Sequence, residues 1–387
     1  MSTDAPYSMP AAAVGRNQAF VLGGFLAHHE AVIRYDLSAS ECQPLSLASL
    51  LEAASPEHLA LWSAMDLGYA HPQGTLGLRT AIAGRYRTIT PTQVLCCAGA
   101  QEALTCVAEA LLQPTDHAIV VVPIYQPSET AVTSRCAVSG VPLEPDARWR
   151  LDVDRIARAI RPNTRLVLIN FPNSPTGAGI APETLADLVA LCRKHGLWLI
   201  NDEVYRAIGS DPDQQQVVDL YERGISIDAL SKSFGMPGLR VGWIACRDET
   251  VLALAMNAKS GLSSCLARPS EALAQMALRR APHIIARNRD LARANWSRLL
   301  PVLARHGERF EAPAANGGVL AFPRYLGPGR ADAFAATLVR EAGVLVLPSS
   351  LWHSPLAAVA ADHIRIGLGT AACAPAIAAL DRYLAAA

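Results

Sequence analysis

The chain has 387 residues, and its 34 Lys and Arg balance 34 Asp and Glu, so that the formal net charge is +0 at pH 7. Apolar residues make up 51% and charged residues 18% of the chain, which excludes a disordered or fibrous protein. The length predicts two or three domains. Because no basic cluster is longer than a pair, neither nucleic acid nor a membrane is expected as the main partner, which leaves a small molecule.

The N-terminal segment does not resemble a signal peptide, because Asp4 and Pro6 interrupt it before any long apolar stretch. The apolar runs are far shorter than the ~20 residues that cross a bilayer. The 9 cysteines form no CxxC pair and have mostly apolar neighbours. We therefore expect reduced core thiols, no metal site and a cytoplasmic protein.

Between residues 95 and 245, short apolar runs alternate with helical stretches. One helix is clear: Pro182 suits its first turn, Leu185 and Leu188 begin an apolar stripe, and Gly196 suits its C-terminal cap. The alternation predicts an α/β domain with a mainly parallel sheet that is covered on both faces. Buried strands are predicted at 118–122, 166–171, 197–201, 225–230 and 241–246.

The last third of the chain has a different pattern. An amphipathic stretch over 284–305 precedes short strand candidates at 318–322, 344–347 and 363–366, which predicts a smaller α+β domain. A continuous helix near 265–280 is predicted to join the two parts. The sequence GLGTAA at 367–372 has the spelling of a dinucleotide fingerprint, but too few residues follow it for a βαβ unit.

The segment SKSFGMPGLRVGW at 231–243 follows the strand predicted at 225–230. A charged Lys232 at the end of a buried strand costs desolvation energy, whereas a neutral amine there can attack a carbonyl and form a Schiff base. Arg240, beyond a Gly/Pro turn, can return a fixed positive charge to the same place. The alternative is a surface lysine and arginine on a loop.

Polar groups also follow three other predicted strands. Asp202 stands at a carboxyl edge, where open α/β sheets bind ligands, and can partner a protonated ring nitrogen or cap a helix. Tyr205 adds a hydroxyl nearby. Asn173 lies in a proline-rich turn and either points inward or serves the turn alone. Gly99 and Ala100 precede a helix, where backbone N–H groups can bind phosphate or simply start the helix.

In this order, the motifs resemble those of the class I and II aminotransferases of fold type I, which depend on pyridoxal 5'-phosphate (PLP). The resemblance implies an α/β fold with a mainly parallel seven-stranded sheet flanked by helices, and a smaller α+β domain. It implies a large PLP-binding domain at 46–265 and a small domain built from 1–45 and 266–387. The motifs are Tyr69 with Gly74, GAQ at 99–101, PIY at 123–125, PNSPTG at 172–177, DEVY at 202–205, SK at 231–232, Arg240 and HIRIG at 363–367.

The resemblance also implies a role for each motif residue. Lys232 forms the Schiff base with PLP and shuttles the proton, and Asp202 pairs with the pyridine nitrogen so that the ring is an electron sink. Tyr205 and Asn173 bond the 3-oxygen of the ring, and Asn173 also faces the substrate. Arg365 binds the substrate α-carboxylate. The remaining cofactor contacts are Tyr125 on the ring face and, around the phosphate, Gly99, Ala100, Gln101, Ser231, Arg240 and Tyr69 from a second subunit.

The implied function is amino-group transfer from an L-amino acid to a 2-oxo acid, in a homodimer with shared active sites. The stretch at 36–47 and the lysine segment look like the branch that contains capreomycidine synthase and the PLP-dependent arginine oxidases and cyclases. Ser40 and Glu41 stand where a glycine-containing turn is usual, so that Glu41 either receives a guanidinium or is a solvated loop acid. The alternative function is therefore a cyclase, eliminase or oxidase of L-arginine or a derivative.

A third hypothesis is a transcription regulator that carries an inactive aminotransferase domain. It requires a DNA-binding module before the core, and the residues before the core show no basic recognition helix.

Overall fold

The strands predicted between residues 95 and 245 lie in one large sheet. A computed structural model of the chain describes residues 20–209, 211, 214–314 and 318–386. The predicted contribution of residues 1–19 to the small domain lies outside the described residues. The helices are α1 Val21–His29, α2 Leu47–Glu52, α3 Pro56–Ser63, α4 Leu76–Ala83, α5 Ala100–Leu111, α6 Gln126–Thr133, α7 Val153–Ala159, α8 Pro182–His195, α9 Val217–Leu220, α10 Glu249–Ser260, α11 Arg268–Arg279, α12 Ala281–Arg305, α13 Ala331–Ala342 and α14 Cys373–Ala386.

The strands are β1 Tyr35–Asp36, β2 Val94–Cys97, β3 His117–Val122, β4 Ala137–Pro142, β5 Thr164–Asn170, β6 Trp198–Asp202, β7 Gly224–Ala229, β8 Gly242–Cys246, β9 Phe310–Glu311, β10 Leu320–Ala321, β11 Arg324–Tyr325, β12 Val344–Leu345, β13 Leu347–Pro348 and β14 Ile364–Gly367. The large sheet has the strand order β2-β8-β7-β6-β5-β3-β4. Strand β8 is antiparallel to both of its neighbours, and the other pairs are parallel. The prediction of a mainly parallel seven-stranded sheet is confirmed.

The sequence features that predicted α8 have the expected positions. Pro182 is the first residue of the helix, and Gly196 at its C-terminal end has a φ of 64°. Leu185 and Leu188 are buried against the sheet in one apolar cluster with Val167. A left-handed residue is the common end of a helix, and glycine adopts this conformation without a steric cost.

Two strands of the sheet were not predicted individually. Strand β2 has only four residues, although all four are buried. Strand β4 is at the edge of the sheet, is mostly half-buried, and contains Gly140 and Pro142. Edge strands lack the continuous apolar pattern of central strands, and Gly and Pro obscure the signal further.

The C-terminal elements build a second core. Leu299 of α12, Phe334 of α13 and Ile366 of β14 belong to one buried cluster. Strand β1 pairs with β12, so that Tyr35 and Asp36 lie beside these elements. The helix predicted near 265–280 is α11, which ends at Arg279 and is followed directly by α12. Because Leu273 of α11 packs in a cluster with strands of the large sheet, this helix contacts the larger core; the predicted domain boundary stays a prediction.

No helix in the described part of the chain is long and apolar enough to cross a membrane. All of the cysteines are unpaired, and all except Cys136 and Cys265 are buried. Burial raises the pKa of Cys42 to about 12, which keeps this thiol protonated. Within the described ranges, no cluster of His, Cys, Asp and Glu could hold a metal ion.

Candidate active site

The carboxyl ends of β2, β5, β6 and β7 meet at one edge of the large sheet, because these four strands run in the same direction. Asp202 is the last residue of β6, and Lys232 follows β7 by three residues. The positive charge of Lys232 acts on the carboxyl of Asp202, so the two side chains share one site. The parallel topology therefore brings together groups that the sequence predicted separately.

Lys232 is half-buried and is held at two points by the segment 38–43. Its amine nitrogen lies 2.7 Å from the hydroxyl oxygen of Ser40. Its backbone carbonyl accepts a hydrogen bond of 3.2 Å from the N–H of Cys42. The lysine is therefore directed into the site and is not a surface residue. Sequence reasoning singled out Ser40 as an unusual residue but did not predict its contact with the lysine.

Asp202 is buried, and burial raises the pKa of its carboxyl from 3.8 to about 7. The N–H of Val204 donates a hydrogen bond of 3.3 Å to it and opposes this shift, as does the charge of Lys232. The negative charge of Asp228 adds to the shift. A carboxylate in this environment is stabilised by a cationic partner such as a protonated ring nitrogen. The Asp202 carboxyl also fixes the turn at Val204 through its hydrogen bond with the N–H of that residue.

A candidate anion-binding site, the Gly99–Arg240 site, lies where β2 meets α5. Gly99 has a φ of 94°, and a Cβ at this position would lie only 2.5 Å from Nη2 of Arg240. Helix α5 begins at Ala100, so that its first backbone N–H groups face the same place as the Arg240 guanidinium. The Arg240 side chain is held by the carbonyl of Ala98 at 3.2 Å. A helix N-terminus beside a guanidinium suits a phosphate group.

Ser231 and Gln101, the other predicted phosphate contacts, differ in how their side chains are held. Ser231 is half-buried directly before the lysine. The Gln101 side-chain N–H donates to the carbonyl of Pro127 at 2.9 Å. Its side-chain oxygen is buried and has no hydrogen-bond partner in the described residues. The side chain of Gln101 therefore links the first turn of α5 to Pro127 of α6, and the Gln101 backbone belongs to that first turn.

Asn173 and two tyrosines line the side of the site. The Asn173 oxygen accepts hydrogen bonds from the N–H and the hydroxyl of Thr176, at 3.2 and 2.7 Å. Its amide nitrogen donates one hydrogen bond, of 3.0 Å, to the carbonyl of Pro123. Asn173 is therefore fixed by the turn and still has a second N–H to offer. Tyr205 is buried, and Tyr125 is 37% exposed and packs edge-on against Phe20 at 5.7 Å.

Arg365 is only 4% exposed, and its guanidinium has few partners. Nη2 donates to the carbonyl of Ser38 at 2.5 Å, and the guanidinium carbon lies 4.8 Å from the ring centre of Trp352. Nε is buried without a partner in the described residues. Burial lowers the pKa of Arg365, and Tyr205 and Glu41 act in the opposite direction. A buried guanidinium with unused donors is well suited to bind a carboxylate. Sequence reasoning missed Trp352, for which no local motif gave a signal.

Glu41 and Tyr69 have the least definite environments. Glu41 is half-buried, accepts a hydrogen bond of 3.2 Å from the N–H of Ser40, and influences Arg365 through its charge. Tyr69 is 92% exposed. The exposure of Tyr69 is what we expect of a side chain that meets a second subunit.

The residues of this site fit PLP. The Gly99–Arg240 site suits the phosphate, because the absence of a Cβ at Gly99 lets the guanidinium lie beside the first turn of α5. Asp202 is a buried carboxyl without a full countercharge, which suits the protonated pyridine nitrogen. Lys232 supplies an amine at the neighbouring strand end.

A family model described as aminotransferase class I and II matches residues 35–378, which is most of the chain. The chain belongs to this family. The aminotransferase is 33% identical over 320 residues to an arginine–pyruvate transaminase of Pseudomonas aeruginosa, with 78% of this chain and 77% of the relative covered. It is 31% identical over 293 residues to a capreomycidine synthase of Streptomyces vinaceus, with 75% and 73% covered.

Solved structures agree with this assignment. A PLP-dependent aminotransferase from Streptococcus suis superposes with a TM-score of 0.87 at 25% identity, covering 95% of this chain and 98% of that one. The N-succinyldiaminopimelate aminotransferase of Mycobacterium tuberculosis gives a TM-score of 0.82 at 27% identity, with 95% and 99% covered. The predictions of a fold type I enzyme and of a PLP-dependent amino-acid aminotransferase are confirmed, and the arginine cyclase or oxidase alternative is less favoured.

Proposed function

We propose that this aminotransferase moves the amino group of an L-amino acid to a 2-oxo acid with Lys232 as its catalytic base. The observation that carries the proposal is the Lys232 amine beside a buried Asp202 carboxyl, with the under-partnered Arg365 guanidinium on the substrate side. PLP, when bound, supplies an electrophilic carbon and an electron sink. Arg365 binds the substrate carboxylate and orients Cα, and Lys232 Nζ takes the proton from Cα.

The other site residues support these steps. Asp202 keeps a proton on the ring nitrogen, and Tyr205 and Asn173 hold the 3-oxygen of the ring. Tyr125 covers the ring face. The phosphate contacts are assigned to the backbone of Gly99, Ala100 and Gln101, to Ser231 and Arg240, and to Tyr69 of a second subunit.

The chain offers an unusually clean test, because its sequence contains lysine only at 194, 232 and 259. Lys259 is fully buried, and its amine is bonded to the carbonyls of Pro72 and Ser264. Lys194 is exposed near the end of α8. We expect Lys232→Ala to abolish the visible absorption of the PLP-loaded protein and amino-group transfer, and Lys194→Ala to leave both unchanged. Full transfer by Lys232→Ala would overturn the proposal.

A second candidate is conversion of L-arginine without amino transfer. The similarity to capreomycidine synthase and the position of Glu41 near Arg365 favour it. A half-reaction with L-arginine distinguishes the two by the fate of the amino group. A 2-oxo acid formed without release of ammonia, with the amino group retained by the enzyme and then passed to an added 2-oxo acid, supports transfer. Oxygen consumption, release of ammonia or a cyclised product, without exchange with any 2-oxo acid, supports the second candidate.

We also propose a cytoplasmic homodimer whose two active sites share residues. The exposure of Tyr69, with Leu67 83% and Leu61 59% exposed in the same part of the chain, supports an interface there. Sedimentation of the loaded enzyme measures the assembly directly, and a monomer that retains full activity contradicts the shared site.

A further inference from the structure

Ser40 is the residue that contacts the Lys232 amine. Its hydroxyl oxygen lies 2.7 Å from Nζ, and this is the one hydrogen bond that the amine makes within the described residues. The two residues are separated by 192 positions in the sequence. The roles proposed above leave this contact unexplained.

The backbone that presents the Ser40 hydroxyl is closely packed. A Cβ on Gly367 would lie against the carbonyl of Ala39, and a Cβ on Gly369 against that of Glu41, so the segment rests directly on two glycines. The Ser40 N–H donates to the Glu41 carboxylate at 3.2 Å. The hydroxyl is therefore offered from a defined position and not from a freely moving loop.

The same segment also contacts the carboxylate-binding arginine. Arg365 donates to the carbonyl of Ser38, two residues before Ser40. The segment that carries Ser40 thus contacts both the group that moves the proton and the group that orients the substrate. A lysine side chain has four rotatable bonds, and a fixed acceptor for its N–H selects one arrangement among many.

We propose that Ser40 is a positioning residue for Lys232: its hydroxyl accepts an N–H of the amine whenever the amine is free, and so holds it ready both to capture PLP and to take the proton from Cα. The proposal rests on the proposed function of Lys232. A neutral amine that donates one N–H to Ser40 retains its lone pair, which is the base.

The test uses the full-length enzyme and the matched pair Ser40→Thr and Ser40→Val, which have similar shapes but differ in the hydroxyl. Ser40→Ala is the minimal deletion, and Ser297→Ala on the exposed face of α12 is the control. Three quantities are measured: the rate at which the apoprotein captures PLP, kcat and KM for an amino donor, and the isotope effect of deuterium at Cα.

We expect Ser40→Val and Ser40→Ala each to lower the rate of PLP capture and kcat by about tenfold, which is the effect of one lost hydrogen bond. KM should change little and the isotope effect should rise, because proton transfer becomes slower. Ser40→Thr should retain most of the wild-type rate of PLP capture and kcat, and Ser297→Ala should behave as wild type. Thermal unfolding of each variant identifies any loss due to misfolding, and the Thr/Val pair still carries the test if Ala fails to fold.

Two results overturn the inference. In the first, Ser40→Val and Ser40→Ala equal the wild type in PLP capture and in the isotope effect. In the second, PLP capture and kcat are as low in Ser40→Thr as in Ser40→Val. In either case Lys232→Ala still reports on the proposed function separately. If Lys232→Ala retains transfer, the proposed function fails whatever the Ser40 variants show.

Discussion

Asp202 shows how a single residue can serve the site at the expense of stability. Its carboxyl is buried, and its pKa is raised from 3.8 to about 7. Between these two values the unfolded chain releases the proton while the folded chain keeps it. The free energy of unfolding therefore falls as the pH rises from about 4 to 7, and the full destabilisation is present above pH 7.

We predict that Asp202→Asn stabilises the apoprotein while it lowers activity. The gain should be roughly 2–4 kcal/mol at pH 8 and should decrease toward pH 5, where the wild-type carboxyl is protonated in the fold. Amino-group transfer should fall by about a hundredfold or more, because the ring nitrogen loses its countercharge. Denaturant unfolding at both pH values checks the sign. The exposed Asp187→Asn is the control, and a wild-type stability for Asp202→Asn at pH 8 contradicts the prediction.

Gly99 is the second residue at which local geometry limits the choice of side chain. We predict that Gly99→Ala weakens PLP binding by about tenfold or more, because its Cβ would displace the Arg240 guanidinium and its φ of 94° is unfavourable for alanine. Gly261→Ala is the matched control, since its Cβ would make an ordinary contact of 3.6 Å. Equal PLP affinity of the two variants, measured by titration, contradicts the prediction.

At the scale of elements, segment 37–43 and strand β14 form the substrate side of the site together. The N–H of Gly367 donates to the carbonyl of Leu37 at 2.7 Å, and the N–H of Gln43 donates to that of Gly369 at 2.8 Å. These bonds place Ser40 and Arg365 on adjacent backbone segments of the same chain. The arrangement depends on glycine where the two backbones are closest.

We predict that Gly367→Ala lowers the free energy of unfolding by roughly 3 kcal/mol or more, because its Cβ would collide with the backbone carbonyl of Ala39. Gly238→Ala should be nearly neutral, since no atom lies within 4 Å of its Cβ. Urea denaturation of the two variants compares them directly. The packing argument fails if Gly367→Ala is as stable as Gly238→Ala.

The sequence predicted elements best where one face or both faces are buried. Strand β3, in which all residues are buried, and helix α8, with its proline and glycine ends, lie where the pattern indicated. The edge strand β4 and the short helices α2 to α4 were not predicted, because short and partly exposed elements have weak periodicity.

At the scale of the whole molecule, the proposed dimer makes each active site depend on two chains. The chain that supplies Lys232 to one site supplies Tyr69 to the other. Two inactive variants can therefore restore one active site in a mixed dimer, because each chain supplies the residue that the other chain lacks.

We predict that mixing Lys232→Ala with Tyr69→Ala subunits restores activity. In a hybrid dimer, one site receives Lys232 from the Tyr69→Ala chain and Tyr69 from the Lys232→Ala chain, whereas the other site lacks both. Random exchange should therefore approach about a quarter of wild-type activity. Activity is measured after mild denaturation and refolding of the mixture. Activity no higher than the sum of the two variants alone indicates that Tyr69 acts within its own chain.

The sequence by itself determined the α/β class, the buried strands, and the identity of the polar groups at their ends, because periodicity and turn chemistry are local properties. Lys232, Asp202, Asn173 and Gly99 were all found in this way. The tertiary structure alone decided two of the contacts in the site: Ser40 with Lys232, and Trp352 with Arg365. These contacts join segments that are distant in the sequence or lack a motif. They depend on the packing of the smaller lobe against the sheet edge, which no local pattern encodes.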